Sequence, residues 1–271
     1  MACQFKNQLR EHWKDDLLKN DHFKTIYERL CEPEDIKIVH DETGLDEELL
    51  NVIYSQRTVR EATKNFYRVQ RNANRLVYEW QKGTPLIQVS RNWRFPPILT
   101  GLMIFQASGK SKKQFWQYVR EPQNIADEEL RRQIVEITEA DMCYSPWAND
   151  VQCKRGKWGE EMLQNWLDSM GVTYRTESDL RGEFPKTPDA LLDHPITVNG
   201  WKCNWIESKA TFGDRVEVNK NVKKQLEPYT QLFGQGLVVY WFGFVDEVDT
   251  PPGIFITDSS LSCMTCKIHC D

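Results

Sequence analysis

The stretch KTPDALLDHPITVNGWKCNWIESKATFGD, residues 186–214, decides the fold. Asn199-Gly200 lies between two strand-like runs, Ile196–Val198 and Trp201–Glu207. Asn-Gly is a strong hairpin signal because both turn positions need positive φ. A further short run, Ala190–Leu192, precedes them. The hairpin therefore places Asp189, as the chain enters its first arm, on a strand beside Glu207, near the end of its second. Side chains alternate along a strand, so Lys209 shares the face of Glu207 and Ser208 points the other way. Two carboxylates and a lysine gathered in this way suit metal-assisted phosphodiester hydrolysis. Mg²⁺ is often held by one or two carboxylates plus waters and phosphate. It polarises a phosphoryl oxygen and activates water. A lysine on the same face orients or deprotonates the water, or offsets transition-state charge. The same residues also fit a plain strand pair with an ordinary Glu–Lys contact.

The flanking sequence completes an α/β pattern. Before the hairpin, a helix of about 156–170 ends at Gly171 and carries Glu160 and Glu161, and Val172–Arg175 reads as a strand. After it, a helix of about 217–233 carries Gln225 and Tyr229. The apolar run Gly236–Phe244 suits a buried strand, Pro251-Pro252-Gly253 a turn, and Ile254–Ile256 a short last strand. Residues 141–271 are thus expected to form a mixed sheet flanked by helices. Trp201, Trp205 and Trp241 read as core anchors rather than base-stacking platforms. Tyr229 shares the face of Gln225 one turn on and fits a place beside the site, with core packing the plainer expectation.

Residues 1–140 read as helical. Leu45, Leu49, Leu50, Ile53 and Tyr54 follow a helix face, and residues 57–80 continue in the same style. Thr84-Pro85 suits the start of another helix. The stretch 86–107 reads as two short helices with a turn at Asn92–Phe95, the second opening at Pro96-Pro97. That fits a helix-turn-helix reader of nucleic acid and equally a plain pair of core helices. A long acidic helix of about 124–140 is expected to bridge to the second half.

Charge is segregated along the chain. The total of −5 argues against a protein held on nucleic acid by bulk charge. Yet residues 51–120 carry 13 basic and 2 acidic side chains, net +11, between flanks 1–50 and 121–150 at −6 each. Arg57, Arg60, Lys64, Arg68, Arg71 and Arg75 recur at three- and four-residue steps, as a stripe down one helix, with Arg91 and Arg94 further on. Such a stripe meets phosphates by counterion release, and it would equally serve an acidic protein partner.

Pro188-Asp189, seventeen residues, then Glu207-x-Lys209 is similar to the signature of the PD-(D/E)XK nuclease superfamily. The order of a glutamate-bearing helix, a hairpin and a helix with Gln225 resembles that superfamily's core. KTPDALL (186–192), WIESKATFGD (205–214) and FGQGLVVYWFGF (233–244), with CYSP (143–146), resemble the codanin-interacting nuclease family over roughly 141–257. The resemblance implies a restriction-endonuclease-like α/β domain. It implies a Mg²⁺- or Mn²⁺-dependent nuclease akin to Holliday-junction resolvases, with DNA foremost as substrate. Asp189 and Glu207 then match the metal carboxylates, Lys209 the catalytic lysine, Glu160 the supporting helix glutamate and Gln225 the glutamine near metal or DNA. Lys157-Trp158-Gly159 stands where the resemblance implies a histidine-rich run, so any histidine role there is lost. The resemblance also implies a codanin-like scaffold as partner, and a nuclease fold acting chiefly in such binding is the alternative. Relatives of the resolvase type suggest a homodimer.

The N-terminal 21 residues show no apolar run of signal-peptide length, and no ~18-residue apolar run occurs anywhere. No membrane association is expected. The eight cysteines read as reduced thiols, and nucleus and cytoplasm as the compartments. Cys263, Cys266, His269 and Cys270 offer four zinc ligands in a cramped tail, with Cys143 and Cys153 as other candidates. Free thiols are the plainer expectation.

Overall fold

A computed structural model describes residues 19–263 and 266–268, with side chains from 19 to 261. The chain forms two compact units whose sequences interleave. A sheet unit takes up 19–29, 43–52 and the chain from 155 onward, and a helical unit takes up 30–42 and 53–154. The division expected near 140 is therefore replaced by an exchange of segments. One physical cause is visible in α1 (Asn20–Arg29). There Phe23 stacks on Phe212 with ring centroids 5.1 Å apart, and the Asn20 N–H donates to Asp246 Oδ1 at 3.0 Å.

The helical unit begins with α2 (Glu34–Thr43). Helix α3 (Glu47–Arg71) starts among sheet-unit residues and continues through helical-unit ones. It stops at Asn72, and α4 (Ala73–Gln81) follows. The basic stripe thus runs over two helices, not one. Helices α5 (Leu86–Trp93), α6 (Pro97–Ala107), α7 (Lys112–Arg120) and α8 (Glu128–Ala140) complete the unit. The bridging helix begins later than expected because the Asp127 side chain caps it by accepting from Leu130 N.

The pair α5–α6 has the spacing of a helix-turn-helix but not the exposure. In α6, Ile98, Thr100, Gly101, Met103, Ile104 and Phe105 are all buried. A side chain at Gly101 would have its Cβ 2.7 Å from Ile137 Cδ1, so α6 packs closely against α8. Apolar all round, α6 is the core helix of the unit, packed with Phe115, Ile134 and Ile137. A groove-reading role for it is corrected to a core role. Buried Asp141 anchors it, its carboxylate accepting from Ile98 N at 2.9 Å and Tyr144 N at 2.7 Å.

The C-terminal part of the sheet unit opens with the end of α9 (Pro146–Ser169), which starts nearly three turns before the expected position. Then follow β1 (Tyr174–Thr176), α10 (Glu177–Leu180), β2 (Ala190–Val198) and β3 (Trp201–Lys209). Helix α11 (Arg215–Asn221) passes through a π-turn (Val222–Leu226) into α12 (Glu227–Phe233). Strands β4 (Gly236–Tyr240), β5 (Ile254–Thr257) and β6 (Cys266–Ile268) end the described chain.

The sheet order is β1-β2-β3-β4-β5, with β6 on β2. The first three strands are antiparallel, and β3–β4–β5 are parallel. Asn199 (φ 48°) and Gly200 (φ 88°) make the expected hairpin turn. The two short runs before it form one strand, whose register shifts between Leu191 and Ile196 around Pro195, a residue that strands accept at irregularities. Trp205, Val238 and Tyr240 face α11–α12, where they pack with Val218, Leu226 and Tyr229. Ser208 and Trp241 face α9, and Trp241 Nε1 donates to Ser208 Oγ at 2.8 Å. The mixed sheet is thus flanked by helices on both faces, as expected. Among the described residues no helix is long and apolar enough to cross a membrane.

Candidate active site

The pairing Ala190↔Ile206 sets Asp189 opposite Glu207. The Asp189 N–H donates to Glu207 Oε2 at 3.2 Å, and the Ser208 N–H donates to Asp189 Oδ2 at 2.8 Å. Backbone geometry thus holds both carboxylates together. Tyr229 secures the loop before them, its hydroxyl donating to the Thr187 carbonyl at 2.8 Å while its ring meets Trp205 edge-on at 5.4 Å. Tyr229 is a core residue, as expected. Trp201 stacks on Phe255, Trp205 Nε1 donates to the Gly234 carbonyl, and Trp241 is held by Ser208, so all three tryptophans anchor packing.

Lys209 stands on the face of Glu207, two residues on. Its Nζ donates to Glu207 Oε1 at 2.6 Å and to Gln225 Oε1 at 2.9 Å. The Glu207 side chain is 3% exposed and that of Lys209 17%, so this pair is shielded from water and its charges act strongly. Burial, then the charge of Asp189, pushes the Glu207 carboxyl up to about 7 against the opposing pull of Lys209. Burial likewise raises Asp189. Glu160 is raised by burial and then by Asp189 and Glu177. Crowded carboxyls raised in this way are a common feature of sites that carry chemistry, and structural ion-pair networks share it.

Asp189 and Glu160 line a cleft of about 150 Å³ together with Leu163, Gln164, Thr176, Glu177, Ser178 and Arg181. Asp189 Oδ1 makes no hydrogen bond among the described residues. Two hard oxygen donors at Asp189 and Glu207, with one oxygen uncommitted, match the number that Mg²⁺ takes alongside waters and substrate phosphate. Among the described residues no three His, Cys, Asp or Glu side chains gather in metal-binding geometry. Glu160 therefore shares the cleft without closing a three-carboxylate group. Cys143 is buried and Cys153 exposed, and neither belongs to such a group. The side chains of Cys263, Cys266, His269 and Cys270 lie outside the described residues.

Glu177 and Arg181 were not read from the sequence. The signal was present in Thr176-x-x-Asp179, a capping box in which Asp179 N donates to Thr176 Oγ1 and Thr176 N to Asp179 Oδ2. It starts a short helix directly after β1 and turns Glu177 and Arg181 toward the cleft lining.

The expected basic residues lie in the helical unit and differ among themselves. Arg57 is half-buried and donates to the Leu30 carbonyl at 3.0 Å. Arg60 is half-buried. Lys64 pairs with Glu61 at 2.7 Å. Arg68 and Arg75 sit over the Trp93 ring at 5.8 and 5.6 Å. Arg71, Arg91 and Arg94 are exposed.

A family described as "Protein of unknown function TPD sequence-motif" matches residues 126–260. The chain is 37% identical over 161 residues to "CDAN1-interacting nuclease 1" of Danio rerio, covering 57% of this chain and 54% of that protein. It is 36% identical over 132 residues to the Homo sapiens protein of the same name, covering 48% and 47%. It is 33% identical over 115 residues to "Uncharacterized protein L539" of Acanthamoeba polyphaga mimivirus, covering 40% and 42%. The chain thus spans about half the length of the curated relatives it matches. No solved structure matches. Thr187-Pro188-Asp189 lies inside the matched region and supplies the paired aspartate of the cleft, and the chain belongs to the TPD-motif family, that of the CDAN1-interacting nuclease 1 proteins.

Proposed function

We propose that this chain is a divalent-metal-dependent nuclease of PD-(D/E)XK type that hydrolyses phosphodiester bonds of nucleic acid, DNA foremost. The observation that carries the reading is the pairing of half-buried Asp189 with buried Glu207, and Lys209 held between Glu207 and Gln225. Asp189 and Glu207 would hold Mg²⁺ or Mn²⁺, with Glu160 in support across the cleft. The cation supplies Lewis-acid polarisation of the scissile phosphoryl group. Lys209 Nζ, fixed by two acceptors, presents its remaining proton and charge toward the reacting phosphate or the attacking water. Gln225 is a positioning residue, acting through Lys209. The names of the relatives support the reading, since they are called nucleases.

The test is cleavage of duplex, branched and single-stranded DNA and RNA with Mg²⁺ or Mn²⁺. Activity is expected to require metal and to be lost in Asp189→Ala and Lys209→Ala. Inactivity on every substrate with both metals, or variants that cut like the wild type, would sink the proposal.

A second reading is favoured by the same printed name, which describes the relatives as CDAN1-interacting. Here the chain binds a codanin-like scaffold and catalyses little. Calorimetry with such a scaffold separates the two: tight binding that survives Glu207→Ala, without cleavage by the wild type, favours the scaffold reading.

A further inference from the structure

Helix α3 presents an aromatic ring among cations. Arg60, Lys64, Tyr67 and Arg71 follow steps of four, three and four, which align side chains along one ridge of a helix. The core face of the helix lies elsewhere, at buried Ala62 and Val69. Tyr67 is 70% exposed, and its neighbour Phe66 meets its ring edge-on at 5.7 Å and 89°. A large ring left in water is informative only where its surroundings suggest a partner. Here residues 57–75 hold six Arg or Lys and a single acid, Glu61, whose exposed pairing with Lys64 is of a weak kind. Arg57 is tied to the Leu30 carbonyl, whereas Arg68 and Arg75 are exposed over the Trp93 ring. Half-buried Arg60 and exposed Lys64 and Arg71 are the cations that share the ridge of Tyr67.

Cations alone suit any phosphate backbone, duplex included. The ring narrows the choice, because in a duplex the faces of the bases are already stacked on one another. Unpaired bases offer open faces, and proteins that hold single strands combine a basic track with aromatic platforms. We propose that the Arg60–Lys64–Tyr67–Arg71 ridge binds unpaired stretches of nucleic acid, with a base stacked on Tyr67 and phosphates at the flanking cations. This deepens the nuclease reading by naming a single-stranded feature in the substrate. An acidic protein surface would use the cations and has no need of the ring.

The experiment is fluorescence anisotropy on the full chain in EDTA, with oligo(dT) and a duplex of roughly 16 nucleotides. Oligo(dT) is expected to bind at least about tenfold more tightly than the duplex. Tyr67→Ala should lose about tenfold for oligo(dT) and nothing for the duplex, whereas Tyr67→Phe should retain the affinity. Lys64→Ala with Arg71→Ala should lower the slope of log affinity against log salt by about 1.4. Equal or tighter binding of the duplex, wild-type affinity in Tyr67→Ala, or competition by poly-glutamate as strong as by unlabelled oligo(dT) would each overturn the proposal. Circular dichroism of each variant shows that the helices persist. Cleavage is not read, so an inactive protein that binds as stated supports the ridge while removing the nuclease reading.

Discussion

Lys209 and Gln225 meet at 2.9 Å because the helix that carries Gln225 is not a regular one. Gln225 lies in the π-turn Val222–Leu226, between α11 and α12. A π-turn holds one residue more than an α-turn and redirects the side chains it carries, which is why such turns recur at functional sites. Gln225→Leu is expected to leave Lys209 tied to Glu207 alone. In a cleavage assay kcat should fall roughly ten- to a hundredfold with little change in KM. An unchanged kcat would make Gln225 a bystander.

The Glu207 carboxyl carries a pH signature. Its value of about 7 in the fold exceeds the 4.5 of a free carboxyl, so the folded state holds a proton that the unfolded chain has released. Stability is therefore full below about 4.5 and declines as pH rises toward about 7, by something on the order of 2–3 kcal/mol, then levels off. Urea titrations across this window, made in EDTA, check the sign. Glu207→Gln, which cannot ionise, should flatten the decline.

Metal should reverse that burden. Binding requires the deprotonated carboxylates, so Mg²⁺ or Mn²⁺ should bind with proton release near pH 7 and more weakly below it. At about 100 times its Kd a cation that binds only the folded state adds ~2.7 kcal/mol. Thermal unfolding should rise by several degrees with the wild type and not with Asp189→Asn. Calorimetry in buffers of different ionisation enthalpy reads the proton directly.

Two glycines of α9 should respond to alanine with opposite signs. A Cβ at Gly156 meets nothing within 4 Å, so Gly156→Ala should stabilise by roughly 0.5–1 kcal/mol, the usual helix gain. A Cβ at Gly159 would lie 2.8 Å from Trp241 Cδ1 and 2.9 Å from Ser208 Oγ. Gly159→Ala should therefore cost about 1–3 kcal/mol by overpacking and loosen the strand that bears Glu207 and Lys209. Denaturant midpoints of the two variants, measured side by side, decide it.

The carboxylate pair was legible in part, because the hairpin that joins its two strands is local. Asn199-Gly200 fixes the turn, but the register at the turn would set Leu192 against Glu207, and the shift between Leu191 and Ile196 is what brings Asp189 opposite it. The period of two then assigns Lys209 and Ser208 to opposite faces. What was not legible depends on distant partners. Burial of α6 follows from Phe115 and Ile137, not from its own sequence, which suits a core helix and a groove reader alike. The diversion of Arg68 and Arg75 to Trp93 depends on where a later helix ends. The π-turn leaves no mark in a hydrophobic period, and the joining of two strand runs through Pro195 depends on pairing with β3 and β6.

The interleaving of the two units bears on how the protein is made. Residues 30–42 and 53–154, which build the helical unit, are all synthesised before β1 leaves the ribosome. Domains tend to fold in the order of synthesis. Phe23, which precedes the helical unit in the chain, must wait for Phe212, which follows it, before it can stack. During that interval Phe23 lacks the ring that covers it in the folded unit. A sheet unit expressed from 141 onward would lack α1 altogether and leave Phe212 without its stacking partner.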